Sequence, residues 1–108
     1  MAKNYVQEGE VVDFVAAAAV LAGAVVVMGK RIGISLSDTA QGATGAAAVE
    51  GVFKLNKLAG DVVGQGDLLY WDAANTRLTT TAGGNTLAGY AFAAAAGGVA
   101  VVNIKINA

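Results

Sequence analysis

The chain has 108 residues, of which 56% are hydrophobic and 14% are charged, with a formal net charge of −1 and no His or Cys. This composition excludes the basic field that binds nucleic acid, and it excludes disulfides, thiolate metal sites and nucleophiles activated by His. The length suits one domain, and the apolar excess predicts that part of the surface is covered by other protein.

The first apolar segment, residues 14–29, contains sixteen residues without a charge. A membrane-spanning helix needs about 20 apolar residues, and Gly23 interrupts this run. Acidic residues precede it at Glu8, Glu10 and Asp13, whereas a signal peptide has a basic leader. We therefore interpret the segment as buried or as an interface strand. The alternative is a small membrane-associated protein anchored by residues 14–29.

Three later segments alternate apolar and polar residues with the two-residue period of a half-buried strand. Their apolar positions are Ile32, Ile34 and Leu36 in the first, Val49, Phe53 and Leu55 in the second, and Val102, Ile104 and Ile106 in the third. Turn-forming residues recur at short spacing, and the chain has fifteen Gly but no Pro. This pattern predicts an all-β fold, an antiparallel sandwich or a small barrel.

Two hairpins are predicted in the second half of the chain. Residues 66–79 include Tyr70 and the only Trp, Trp71, followed by turn residues and a hydroxyl-rich return strand. Trp71 is interpreted either as core or as an anchor at a subunit interface. The pair Gly97-Gly98 predicts a two-residue turn between residues 90–96 and 99–106.

Two alanine runs, residues 16–19 and 93–96, allow two interpretations. Alanine is the best helix former and a poor strand residue, so one run could form a short helix. Alternatively, the small side chains let a neighbouring strand or subunit approach closely. At most one short helix is therefore expected.

No arrangement of residues predicts catalysis or a cofactor. The sequence around Gly29-Lys30-Arg31 lacks the earlier Gly and the following hydroxyl of a phosphate-binding loop. Glu8 and Glu10 supply too few oxygen ligands for a hard cation. Ser35 and Ser37 have no His to act as a base. We expect no enzymatic activity, no metal, no cofactor and no small-molecule substrate.

Several elements, taken in order, resemble the small capsid-decoration proteins of tailed bacteriophages, also called cement or head-stabilising proteins. They are residues 1–9 (MAKNYVQEG), 50–55 (EGVFKL) with Lys57, Gly66-Asp67, Tyr70-Trp71-Asp72, Leu78-Thr79, Asn85 and Gly89. The resemblance implies one capsid-decoration domain, residues 1–108, with an extended N-terminal arm over 1–9 and a barrel-like or tulip-like β domain over 10–108.

The resemblance also implies a function and a set of contact residues. The protein is expected to be made in the host cytoplasm and to decorate the outer capsid surface. There it would bridge subunits of the major capsid protein as homotrimers at three-fold and quasi-three-fold positions, with no membrane or nucleic-acid partner. Interface residues are expected in the arm and in the aromatic pair, namely Ala2, Lys3, Asn4, Tyr5, Val6, Gln7, Tyr70 and Trp71. The polar and apolar alternation of the arm suits strand addition.

Overall fold

A computed structural model describes residues 9–107, and this part of the chain consists of strands and turns without a helix. The predicted all-β class is confirmed. Nine strands follow one another: β1 Val11–Val15, β2 Val25–Met28, β3 Arg31–Ser35, β4 Thr44–Ala48, β5 Val52–Asn56, β6 Leu68–Asp72, β7 Arg77–Thr79, β8 Thr86–Ala91 and β9 Val101–Ile106.

The strands form two antiparallel sheets. The four-stranded sheet has the order β1-β4-β3-β2, and the five-stranded sheet has the order β5-β9-β8-β6-β7. The larger sheet curls so that its edge strands approach at one parallel bridge between Lys57 and Leu78. This bridge does not close the sheet into a barrel.

The two sheets are structural repeats of one another, a relation that the sequence did not reveal. If β5, β6, β8 and β9 are matched with β1, β2, β3 and β4, the strand order is the same in both sheets, and β7 is an addition to the second. A mutually hydrogen-bonded bridge recurs in each repeat, Val20 with Thr39 in the first and Val63 with Ala95 in the second.

Each of these four bridge residues is followed directly by a turn of the same kind. The residue after it accepts a hydrogen bond from the amide three positions further on, and the third residue of that turn is a glycine with positive φ. This is the geometry of a type II turn, which requires glycine there. The four glycines are Gly23 (φ 85), Gly42 (φ 81), Gly66 (φ 88) and Gly98 (φ 90).

The main core lies between the repeats. Ile32 and Ile34 of β3 pack against a buried cluster from the five-stranded sheet that includes Leu69, Trp71 and Ile104. A smaller cluster of Phe14, Ala16 and Ala47, with Val20, Val26 and Met28 at its margin, covers the other face of the four-stranded sheet. The four-stranded sheet is therefore apolar on both faces.

Asn107 connects the two repeats after β9 ends. Its side-chain amide donates to the carbonyl oxygen of Ile32 at 2.7 Å and of Val49 at 3.0 Å, and its Oδ1 accepts the Ile32 amide at 3.2 Å. The side chain thus continues the hydrogen-bond ladder of β3 where β4 has turned away. Asn107 adopts a φ of 58° to do so, a left-handed conformation that Asn tolerates well.

Several sequence predictions need correction. Gly97 and Gly98 do not form a two-residue hairpin: β8 and β9 do pair, but the connection between them runs from 92 to 100 because it contains the bridge and turn of the repeat. Leu36 was assigned to the apolar face of a strand, yet it lies beyond the end of β3 and its side chain is 52% exposed.

The alternation predicted for Val49, Phe53 and Leu55 is interrupted. β4 ends at Ala48 and β5 begins at Val52, so Val49 lies outside the strand that holds Phe53 and Leu55. The third predicted strand is confirmed, because Val102, Ile104 and Ile106 are all buried on one face of β9.

Neither alanine run is helical. Ala16 and Ala95 are buried, and Ala95 exchanges both backbone hydrogen bonds with Val63 at 2.9 Å. Close backbone approach at Ala95 is therefore the correct interpretation of the second run. Residues 14–29 comprise the end of β1, a loop and β2. Within residues 9–107 there is no helix with the length and apolarity needed to cross a bilayer.

Candidate interaction surface

The structure separates the predicted interface residues into two groups. Residues 2–7 of the predicted arm lie outside the described residues. Tyr70 and Trp71 are neighbours on β6, with Tyr70 half-buried and Trp71 only 8% exposed. Trp71 belongs to the main core cluster, so most of its indole stabilises the fold. A contact of either residue with a partner stays a prediction.

The accessible part of Trp71 lines a groove of about 340 Å³. The groove is also lined by the residues before and at the start of β2, from Gly23 to Val25, by the end of β5, from Lys54 to Asn56, and by Thr76. Lys54 is the one charged side chain in this lining. The groove therefore joins the edges of the two repeats above the aromatic core.

The hairpin after Trp71 is held by its turn residues. Asn75 Nδ2 donates to Asp72 Oδ2 at 2.8 Å, and Arg77 Nε lies 4.0 Å from the same oxygen. The hydrogen bond from Asn75 holds the pKa of Asp72 below its ordinary value, with a smaller contribution from the charge of Arg77. The left-handed residue of this turn is Thr76 (φ 49), although the neighbouring Asn75 is of a residue type that tolerates this conformation better.

A buried lysine fixes the loop that follows β5. Lys57 is 4% exposed, and its ammonium donates to the carbonyl oxygens of Leu58 at 3.0 Å and Asp61 at 2.6 Å. The carboxylate of Asp61 in turn accepts the hydroxyl of Thr79 at 2.8 Å. Because buried charged groups are normally compensated by such bonds, the bonds of Lys57 identify it as part of the scaffold.

Large apolar side chains are exposed beside the four repeated turns. Val62 is 74% exposed and Phe92 50% in the second repeat, while Leu21 is 70% and Leu36 52% exposed in the first. Gln65 Nε2 donates to the Phe92 carbonyl oxygen at 3.3 Å, so the turn of Gly66 and the end of β8 form one surface. Sequence reasoning missed these residues, because loop position rather than alternation decides their exposure.

The described residues contain no cluster of three or more His, Cys, Asp or Glu side chains that could hold a metal ion. What they present is strand edges, apolar side chains and a groove. Such features bind other proteins by strand addition and burial of apolar area.

Comparison with known proteins agrees with this interpretation. A family model described as phage cement protein matches residues 6–106. No curated protein and no solved structure gives a significant match. Because the family match spans nearly the whole chain, the chain belongs to the phage cement protein family, whose role is to stabilise the capsid as a structural component.

Proposed function

We propose that the protein decorates the outer surface of a phage capsid and bridges subunits of the major capsid protein, as homotrimers at three-fold and quasi-three-fold positions. Residues 1–108 act as a single capsid-decoration domain in this role, with residues 1–9 as an extended arm, after synthesis in the host cytoplasm. No bond is made or broken, because the activity is binding alone.

The observation that carries this proposal is the amount of large apolar surface left open. Thirteen large hydrophobic side chains of the described residues are exposed, and Val15, Leu21 and Val62 each have about 70% of their area in solvent (69%, 70% and 74%). Single exposed hydrophobic residues are normal, but a large apolar surface on a small domain marks an interaction site. Neighbouring copies and the shell are the partners proposed to cover it.

The proposed mechanism is stabilisation by mass action. A ligand that binds one state of a protein assembly and not another shifts the equilibrium toward the bound state. If the trimer binds the mature, expanded shell and not its looser precursor, binding makes the mature state more stable. Each trimer touches several shell subunits, so its second and third contacts form at high effective concentration. The overall affinity of the trimer for the shell is therefore much higher than that of any single contact.

The N-terminal arm gives a direct test. A variant lacking residues 1–7 is expected to fold with an unchanged unfolding midpoint but to lose decoration of capsids, because it lacks the segment that would add a strand to the shell. The measurement is co-sedimentation with undecorated mature capsids, alongside thermal unfolding of the free protein.

The matched control keeps the length of the arm and replaces residues 2–7 with Gly and Ser. This control should bind as poorly as the truncated variant, since the side chains and strand propensity are lost. Undiminished decoration by both variants would show that the arm does not contribute to capsid binding.

A further inference from the structure

The two repeats differ by one strand, β7. In the second repeat β7 pairs with β6 in the antiparallel direction, and Leu78 of β7 lies opposite Trp71. Leu78 also forms the parallel bridge with Lys57, the residue after β5. β7 therefore lies between β6 and the end of β5, and the side chain of Leu78 is completely buried in the main core.

Backbone hydrogen bonds define which residues of the two repeats correspond. The Ala16 amide donates to the residue before β4, and the Lys57 amide donates to the residue before β9, so Ala16 corresponds to Lys57. The residues before β2 and β6 each accept the amide of the last residue of the strand that pairs with them. The two strands therefore correspond from their first residues onward, and Met28 corresponds to Trp71.

The first repeat has a groove at the place that β7 fills in the second. This β1–β2 groove, of about 250 Å³, is lined by residues 14–18, Val20 and residues 25–27. Every residue of this lining is apolar. Val26 is half-buried here, whereas the corresponding Leu69 is completely buried. The smaller core cluster therefore lacks the cover that β7 gives to the main core.

The backbone of β2 is also open on this side. Among the described strands β2 pairs with β3 alone, whereas β6 pairs with both β8 and β7. The Ser35 amide donates to the Ala24 carbonyl oxygen, so the backbone groups of Val25 and Val27 point away from β3. β2 has the sequence VVVM and carries no charge, Pro or Gly to protect its edge.

We infer that the β1–β2 groove receives an extended segment of the capsid shell, which adds to β2 in the antiparallel direction as β7 adds to β6. A large aliphatic side chain of this segment would lie beside Met28, where Leu78 lies beside Trp71 in the second repeat. The occupant is a single segment and not the edge of a folded sheet, because β1 and β2 line the groove on opposite sides.

The chain's own residues 1–8 are too short to supply this strand. Neighbours in the four-stranded sheet are antiparallel, so β1 and β2 run in opposite directions, and a segment antiparallel to β2 runs parallel to β1. Such a segment ends near Val15, and a return to Gly9 along the length of β1 takes about five residues. About three residues would then remain for the strand itself.

The arm of a second copy has an unsuitable pattern of side chains. The nine described strands of a second copy already belong to sheets, which leaves its residues 1–8. Alternate residues of an extended segment face the same side. The face that carries Val6 also carries Asn4 and Glu8, and the opposite face carries Lys3 and Gln7. An apolar lining offers these polar groups no side-chain partner.

The choice of the shell as donor rests on the proposed function, in which the shell is the partner. The groove and the open edge of β2 do not depend on it. The chemistry of the donor follows from the lining: an extended segment with aliphatic residues at alternate positions and without a charge between them on the face that enters the groove.

Hydrogen exchange on decorated capsids detects an added strand directly. The amides of Val25 and Val27 are expected to exchange at least about tenfold more slowly in the capsid-bound protein than in the free protein, because the donated strand accepts them. The Val26 amide points towards Gly33 of β3 and should change much less. Unchanged rates at Val25 and Val27 in bound protein, or equal slowing of all three amides, would overturn the inference.

Ala18→Arg is expected to lower the affinity for mature capsids at least about tenfold, because it places a charge in the apolar lining. Ala18 is exposed in the free protein, so the unfolding midpoint should not change. Ala73→Arg is the matched control, at an exposed alanine in the turn after β6, and it should bind like wild type. Equal affinities of the two variants would contradict the groove as the binding site.

Photo-cross-linking identifies the donor, because the chain contains no Cys that would compete for a label. Val27→Cys is labelled with a small diazirine maleimide, bound to mature capsids and irradiated. The expected product joins one copy of the chain to one subunit of the major capsid protein, at a single short segment of that subunit. A product that joins two copies of this chain would overturn the shell as donor.

Failure of this inference is distinguishable from failure of the proposed function. A protein that co-sediments with mature capsids but shows no protection at Val25 and Val27 would refute the strand addition and leave capsid decoration intact. A protein that does not co-sediment with mature capsids would refute the proposed function, and the shell would then be excluded as the donor.

Discussion

Replacement of Gly89 by Ala is expected to lower the free energy of unfolding by about 4 kcal/mol and the melting temperature by about 20 °C. Gly89 lies in the middle of β8, between Leu69 of β6 and Ile106 of β9. Its φ is 152°, and a Cβ at this position would overlap the Lys105 carbonyl oxygen. The methyl group therefore meets backbone, which cannot move without breaking the sheet.

The register of β6 and β8 shifts just beyond this glycine, between Leu69 and Tyr70. Glycine within a strand often marks such an irregularity or a close backbone contact. Gly60→Ala is the matched control, because a Cβ there meets nothing within 4 Å, and it should change stability by less than about 0.5 kcal/mol. Equal urea midpoints for the Gly89 and Gly60 variants would show that β8 and β9 are not packed as described.

Asn107→Ala is expected to destabilise the protein by about 2–3 kcal/mol. The substitution removes three hydrogen bonds to the backbone of Ile32 and Val49. It leaves partly buried amide and carbonyl groups without partners, at a cost of about 1 kcal/mol for each bond. Alanine also fits the left-handed backbone at this position less well than Asn.

Asn103→Ala is the control for Asn107, since it changes the same residue type at an exposed position of β9. Chemical denaturation should separate the two variants by at least about 1.5 kcal/mol. Hydrogen exchange adds a regional signature, because amides of β3 and β2 should lose more protection than those of β6 and β8. If the two Asn variants are equally stable, Asn107 does not join the repeats.

Sequence reasoning succeeded where alternation alone decides the structure. Ile104 and Ile106 alternate with polar residues on a strand that has one buried face, so their burial follows from the period of two. The β6 and β7 hairpin around Trp71 was also predictable, because turn-forming residues separate two short apolar segments.

The duplicated architecture could not be derived in this way. The four turns share a glycine three residues after a bridge residue, but the bridge residues are Val20, Thr39, Val63 and Ala95, at unequal spacing. Gly98 was predicted as part of a tight hairpin because a pair of glycines suits that turn equally well. Which turn forms is decided by long-range contacts, here the Gly98 amide and the Ala59 carbonyl oxygen at 2.6 Å.

Amino-acid composition predicts that an apolar interaction surface exists, but the positions of its residues come from the structure. An apolar excess predicts that some surface is covered by protein, but it does not say which residues are left exposed. Val62 and Phe92 are exposed because they lie in the connections of the second repeat.

The most direct test of the capsid-decoration account is co-sedimentation of the purified full-length protein with undecorated mature capsids and with unexpanded precursor particles. Binding to the mature particles is expected to saturate at about one copy per subunit of the major capsid protein, because three copies would share each three-fold or quasi-three-fold position. Binding to the precursor particles should be much weaker. A protein that remains in the supernatant with both kinds of particle would contradict the account.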